Sequence, residues 1–121
     1  MRGLKTMNGW IGVDLDGTLA QYDGWIGVSH IGDPVPAMLT RVLRWLEQGY
    51  DVRIFTARVS RPEQEQDARA RIELWCETHI GQVLPITNEK DTKMIELWDD
   101  RAVQVIANTG QPVGKSNNGL C

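Results

Sequence analysis

W-I-G-V-D-L-D-G-T-L, residues Trp10 to Leu19, joins a short β-favouring apolar run to two aspartates and a glycine. Such a run, too short for a helix and closed by Asp-Leu-Asp-Gly, reads as a buried strand that ends in a tight loop. Downstream, residues 20–32 hold Gly24, Gly27 and Gly32, the rings Tyr22 and Trp25, and His30, with no sustained period, and read as a long flap loop. Asp33-Pro34 has the chemistry of a helix start, since the carboxylate accepts from first-turn amides and proline needs no partner there. Leu39, Val42, Leu43 and Leu46 repeat at helical spacing with Met38 and Trp45 beside them, and Gly49 stops the pattern. Val52, Ile54 and Phe55 predict a second strand ending at Thr56. After the polar segment Ala57 to Arg61, Pro62 predicts another helix, with Ala68, Ile72, Trp75 and Cys76 on its apolar face and Gly81 at its end. Val83 to Ile86, Met94 to Trp98 and Ala102 to Ile106 read as three further strands, and residues 108–121 as a loosely held tail.

Strands alternating with helices indicate an α/β chain: a Rossmann-like three-layer sandwich with a mainly parallel sheet of about five strands. A chain of 121 residues, 41% hydrophobic and 24% charged, suits a single domain, 1–121, with its core at about residues 10–107. Thirteen Lys and Arg against sixteen Asp and Glu leave a net charge of −3, which does not favour a protein that holds nucleic acid through its phosphates. No apolar stretch approaches the ~18 residues of a membrane span, and Met1 to Asn8 has no apolar run of signal-peptide length. The expected location is therefore cytoplasmic, without a membrane partner. Cys76 and Cys121 have no metal-site or disulfide spacing and read as reduced thiols.

In parallel sheets, ligands bind beyond the carboxyl ends of the strands. Asp14, Asp16, Thr56, Asp99 and Asp100 each follow an apolar strand candidate, so a parallel sheet would gather them at one edge. Carboxylates so gathered repel one another unless a cation sits among them, and all-oxygen ligation by few protein groups suits Mg²⁺. A hydroxyl (Thr56) and an ammonium (Lys90) beside such a cation would complement a phosphoryl group. An aspartate can then attack phosphorus, and a second carboxylate two residues on can serve as acid and base.

V-D-L-D-G-T-L (Val13 to Leu19) resembles the first motif of the haloacid dehalogenase superfamily of phosphatases. I-F-T-A-R (Ile54 to Arg58) is similar to its second motif, while Asn88-Glu89-Lys90-Asp91 and Leu97-Trp98-Asp99-Asp100-Arg101 resemble the third and fourth, in the family's order. The resemblance implies Asp14 as nucleophile and magnesium ligand. It implies Asp16 as general acid and base with its backbone carbonyl on the metal, Thr56 on a phosphoryl oxygen, and Lys90 orienting nucleophile and phosphate. Asp99 would ligate Mg²⁺ directly, with Asp100 a second ligand or a partner through water. Too few residues separate the motifs for a cap domain, so the chain resembles the small capless members. The function implied is Mg²⁺-dependent hydrolysis of a phosphate monoester, small or macromolecular, through an aspartyl-phosphate.

Lys93 competes with Lys90 for the lysine role, and Lys90 fits the motif better. Arg58, Arg61 and Arg101 lie near the expected site loops, where a second phosphate could be held, and Trp25 could stack on a base or sugar. His30 reads as an ordinary loop residue. Gly110-Gln-Pro-Val-Gly114-Lys115-Ser116 has one residue too few between its glycines for a phosphate-binding P-loop. Two other classes share part of the pattern: a receiver-like phospho-accepting signalling module, which orders these motifs differently, and a binding protein of the same fold that has lost catalysis.

Overall fold

Along the strand Trp10–Asp14 (β1), alternation sends Ile11 and Val13 to one face and Trp10, Gly12 and Asp14 to the other. The computed structural model describes residues 8–114. After β1 come α1 (Pro36–Glu47), β2 (Asp51–Phe55), α2 (Glu65–His79), β3 (Ile86–Thr87) and β4 (Met94–Trp98). All strand pairs are parallel and the order is β3-β2-β1-β4, so one sheet edge collects the carboxyl ends of all four strands.

In register, Val52 and Ile54 of β2 stand beside Ile11 and Val13. Met38, Val42 and Trp45 of α1 and Ala68, Ile72, Trp75 and Cys76 of α2 pack with these four strand residues in one buried cluster. Trp10 is equally buried yet lies outside that cluster. Both helices therefore cover the same face, as right-handed crossovers running β1 to β2 to β3 require. The described residues form two layers, not three. The link Asn88–Lys93 explains the difference, for its six residues must carry the chain from the carboxyl end of β3 to the amino end of β4, three strands away. That diagonal is ~19 Å, against a reach of roughly 24 Å for seven peptide steps, which leaves no length for a helix. On the helix-free face, Trp10 donates its indole N–H to Asp91 Oδ1 at 2.9 Å, and the Arg53 guanidinium lies 4.8 Å from its ring centroid.

Other expectations shift locally. Asp33-Pro34 does not open α1: Val35 is still extended because its N–H donates to the Leu19 carbonyl, and Pro36 becomes the first helical residue. Along α1 the buried line is Met38, Val42 and Trp45, while Leu43 is exposed. Pro62 lies in a turn ahead of α2, which begins at Glu65 after a short 3-10 turn, Ala57–Val59. The strand expected at Val83 to Ile86 is reduced to Ile86–Thr87. Ala102 to Ile106 adds no fifth strand; Val105 bridges Pro112, so this segment folds back on its own continuation. Gly110 and Gly114 belong to that fold-back, whereas Lys115, Ser116 and Cys121 lie outside the described residues. Cys76 is a buried free thiol. No helix among the described residues is long and apolar enough to cross a membrane.

Candidate active site

At the carboxyl ends of β1 and β4, Asp14, Asp99 and Asp100 bring one carboxylate oxygen each to within 4.8 Å of one another. The loop after β1 makes this approach possible. Gly17 adopts a φ of +91°, and a Cβ there would stand 2.6 Å from the Asp100 carboxylate, so another residue would be strained and would push Asp100 away. Thr18, the next residue, ties the cluster together: its hydroxyl reaches Asp14 Oδ2 at 3.3 Å and Asp100 Oδ1 at 3.1 Å, and accepts the Asp100 N–H at 3.0 Å. Asp99 accepts the Arg101 N–H at 2.8 Å. Burial, then the neighbouring Asp99 and Asp100 carboxylates, push the Asp14 carboxyl well above the usual range, to about 7. One hydroxyl proton does not offset three adjacent carboxylates, and hard oxygen donors in such a set fit a small divalent cation.

Asp16 lies in the same cleft as the triad but is committed elsewhere. Arg58 Nε and Nη2 donate to its two oxygens at 2.7 and 2.9 Å, a two-point ion pair. The same guanidinium donates to the carbonyls of Val28 at 3.2 Å and His30 at 2.8 Å, and lies 4.8 Å from the Trp25 ring centroid. Arg58 thus joins the loop after β2, the carboxylate after β1 and the flap. At the flap's neck, Gln21 N–H donates to Asp33 O and Val35 N–H to Leu19 O. A Cβ on Gly32 would collide with the Gln21 carbonyl, which explains glycine at that close crossing. Trp75 of α2 donates its indole N–H to Gly32 O at 2.9 Å, anchoring the neck to the core.

Thr56 is buried at the end of β2, where its hydroxyl accepts the Arg58 N–H at 3.1 Å and keeps its own proton available. Asp14, Asp16, Thr56, Asp99 and Asp100 all line one cleft of about 670 Å³. Lys90 does not line it; it lies exposed in the stretched link between β3 and β4. Lys93 is at the opposite end of the sheet, where its carbonyl accepts the Trp10 N–H. Three arginines occupy the cleft in place of a lysine: Arg58, Arg61 and Arg101. The hydroxyl of Thr18 and the multiple contacts of Arg58 escaped sequence reasoning. The signals available were the Thr after Asp-Gly and the Arg two residues after Thr56, neither of which says which groups converge on it.

No family model and no curated protein matches the chain. Among solved structures, a conserved protein from Bacteroides thetaiotaomicron superposes with a TM-score of 0.53 at 20% sequence identity, over 77% of this chain and 76% of that one. That likeness concerns the fold alone; the α/β arrangement of a parallel four-stranded sheet with two helices is compatible with a Rossmann-like architecture.

Proposed function

We propose that the protein is a phosphomonoester hydrolase of the haloacid dehalogenase type that requires Mg²⁺. The supporting observation is the convergence of Asp14, Asp99 and Asp100, with Asp16 and Thr56 in the same cleft. Asp14, Asp99 and Asp100 would hold the ion, which when bound supplies positive charge for both the carboxylates and a phosphoryl group. Asp14 attacks phosphorus as its carboxylate, the ester oxygen departs with a proton from Asp16, and Asp16 then deprotonates the water that cleaves the acyl phosphate. The Thr56 hydroxyl donates to a non-bridging oxygen. Arg61 and Arg101, which have no side-chain partner among the described residues, supply the positive charge that the sequence reading gave to Lys90.

Both Asp16 oxygens are held by Arg58, so proton delivery requires the fork to release at least one of them. Because the same guanidinium grips Val28 and His30, catalysis and flap movement become linked. The decisive experiment is steady-state turnover of a panel of phosphate monoesters with Mg²⁺ and with excess chelator, for wild type and Asp14→Asn. Multiple turnovers that vanish in chelator and in Asp14→Asn are expected. Full activity in that variant, or a single phosphoryl group retained without turnover, would overturn the reading.

A further inference from the structure

Trp25 is the largest side chain lining the cleft, and the proposed chemistry does not use it. It is 55% exposed, and the guanidinium over its ring is itself held by Asp16, Val28 and His30. A buried, fully engaged cation thus backs the indole. More than half of the residue remains exposed, in a cleft that Asp14 also lines. A planar group that stacks there meets a ring already resting on a held guanidinium, so less rotamer entropy remains to be lost than for a ring with no contact. Half-exposed Tyr22 lines the same cleft, as does Gln64, whose side-chain amide has no partner among the described residues.

We propose that the cleft takes nucleoside monophosphates, with Trp25 as the platform for the base. Stacking is tolerant of base identity, since every base presents a π-face, so selection is for a nucleotide rather than for a particular base. The intervening Arg58 separates the Trp25 ring from the Asp16 carboxylate. Arg61 and Arg101 serve the phosphate, and Gln64 offers its amide to sugar hydroxyls.

The inference rests on the phosphatase reading in its kinetic arm alone. In that arm, KM for adenosine and thymidine monophosphates, p-nitrophenyl phosphate and glycerol phosphate is compared in wild type, Trp25→Ala and Trp25→Phe. Trp25→Ala is expected to raise KM for the two nucleotides about tenfold or more, to change the other two little, and to be largely rescued by Trp25→Phe. Equal losses on all esters, or none on nucleotides, would overturn the proposal. In the binding arm, adenosine monophosphate is titrated calorimetrically into Asp14→Asn with Mg²⁺, with and without Trp25→Ala. Trp25-dependent binding by a protein that turns over no ester would retire the hydrolase and keep the platform. Turnover of esters with no Trp25-dependent binding would do the reverse.

Discussion

Three carboxylates gather near Thr18, and among the described residues its hydroxyl is the side-chain donor within hydrogen-bond distance of two of them, with one proton to share between Asp14 and Asp100. Groups that orient ligands without binding the metal themselves commonly change metal affinity ~10–100-fold. Thr18→Val keeps the shape, removes the donor to Asp14 and Asp100, and leaves the Asp100 N–H without its acceptor. The expected outcome is a roughly tenfold rise in the Mg²⁺ concentration giving half-maximal activity, with kcat at saturating Mg²⁺ much less affected. A titration of activity against Mg²⁺ checks this, and an unchanged midpoint would remove Thr18 from the site. Asp14, Asp16, Asp99 and Asp100 were legible in the sequence because each follows an apolar strand run and a parallel sheet gathers such ends. Thr18 was not, because its role depends on Asp100, 82 residues away along the chain.

The flap is an element without regular structure, held by its neck, by Val28 and Ile31 packed against the core, and by the Arg58 side chain. Arg58 is nearly buried, and removing it strands the Asp16 carboxylate and two flap carbonyls. Arg58→Ala should cost about 2–3 kcal/mol, in the range for lost charge-assisted hydrogen bonds in a partly buried pair. Arg58→Lys keeps the charge but loses the fork, so it should retain much of the stability while releasing the flap. Limited proteolysis mapped by mass spectrometry should show new cleavage within residues 21–33 in both variants, with the helices protected. Flap protection equal to wild type in Arg58→Ala would show that the neck and the apolar contacts of Val28 and Ile31 suffice to hold the loop. Residues 20–32 could be recognised as a flap from their glycines and lack of period. The start of α1 was misread because the Val35 N–H is spent closing the neck against Leu19, a contact invisible to local capping rules. Likewise, four apolar residues of α1 fit a helical stripe, but the face that meets the sheet is centred on Val42 and Trp45 and leaves Leu43 outside.

At the scale of the whole molecule, alternation of strands and helices made the parallel sheet legible, while the number of layers depended on the length of one link. A fifth strand was expected because Ala102 to Ile106 is apolar, yet a segment that closes on its own neighbour needs no crossover, and the chain takes that local solution. The same sheet concentrates negative charge at one edge and thereby couples that edge to global stability. Asp14 is held near 7 in the folded chain and returns to the ordinary carboxylate range when unfolded, so the folded state binds the proton more tightly. Its contribution is therefore fully present below about pH 4, declines as pH rises toward 7 and is absent above that. A divalent cation needs the deprotonated carboxylate, so it competes with that proton and restores stability where the proton has left. Thermal melts in chelator should accordingly show a wild-type Tm that falls between pH 5 and 8 relative to Asp14→Asn, which has no such proton to lose. The gain from Mg²⁺ should be small at pH 5, rise through 7 and then level off in wild type, and be much reduced in Asp14→Asn. A Mg²⁺ gain independent of pH, or the same decline in both proteins, would mean that the three carboxylates do not act as one cation site.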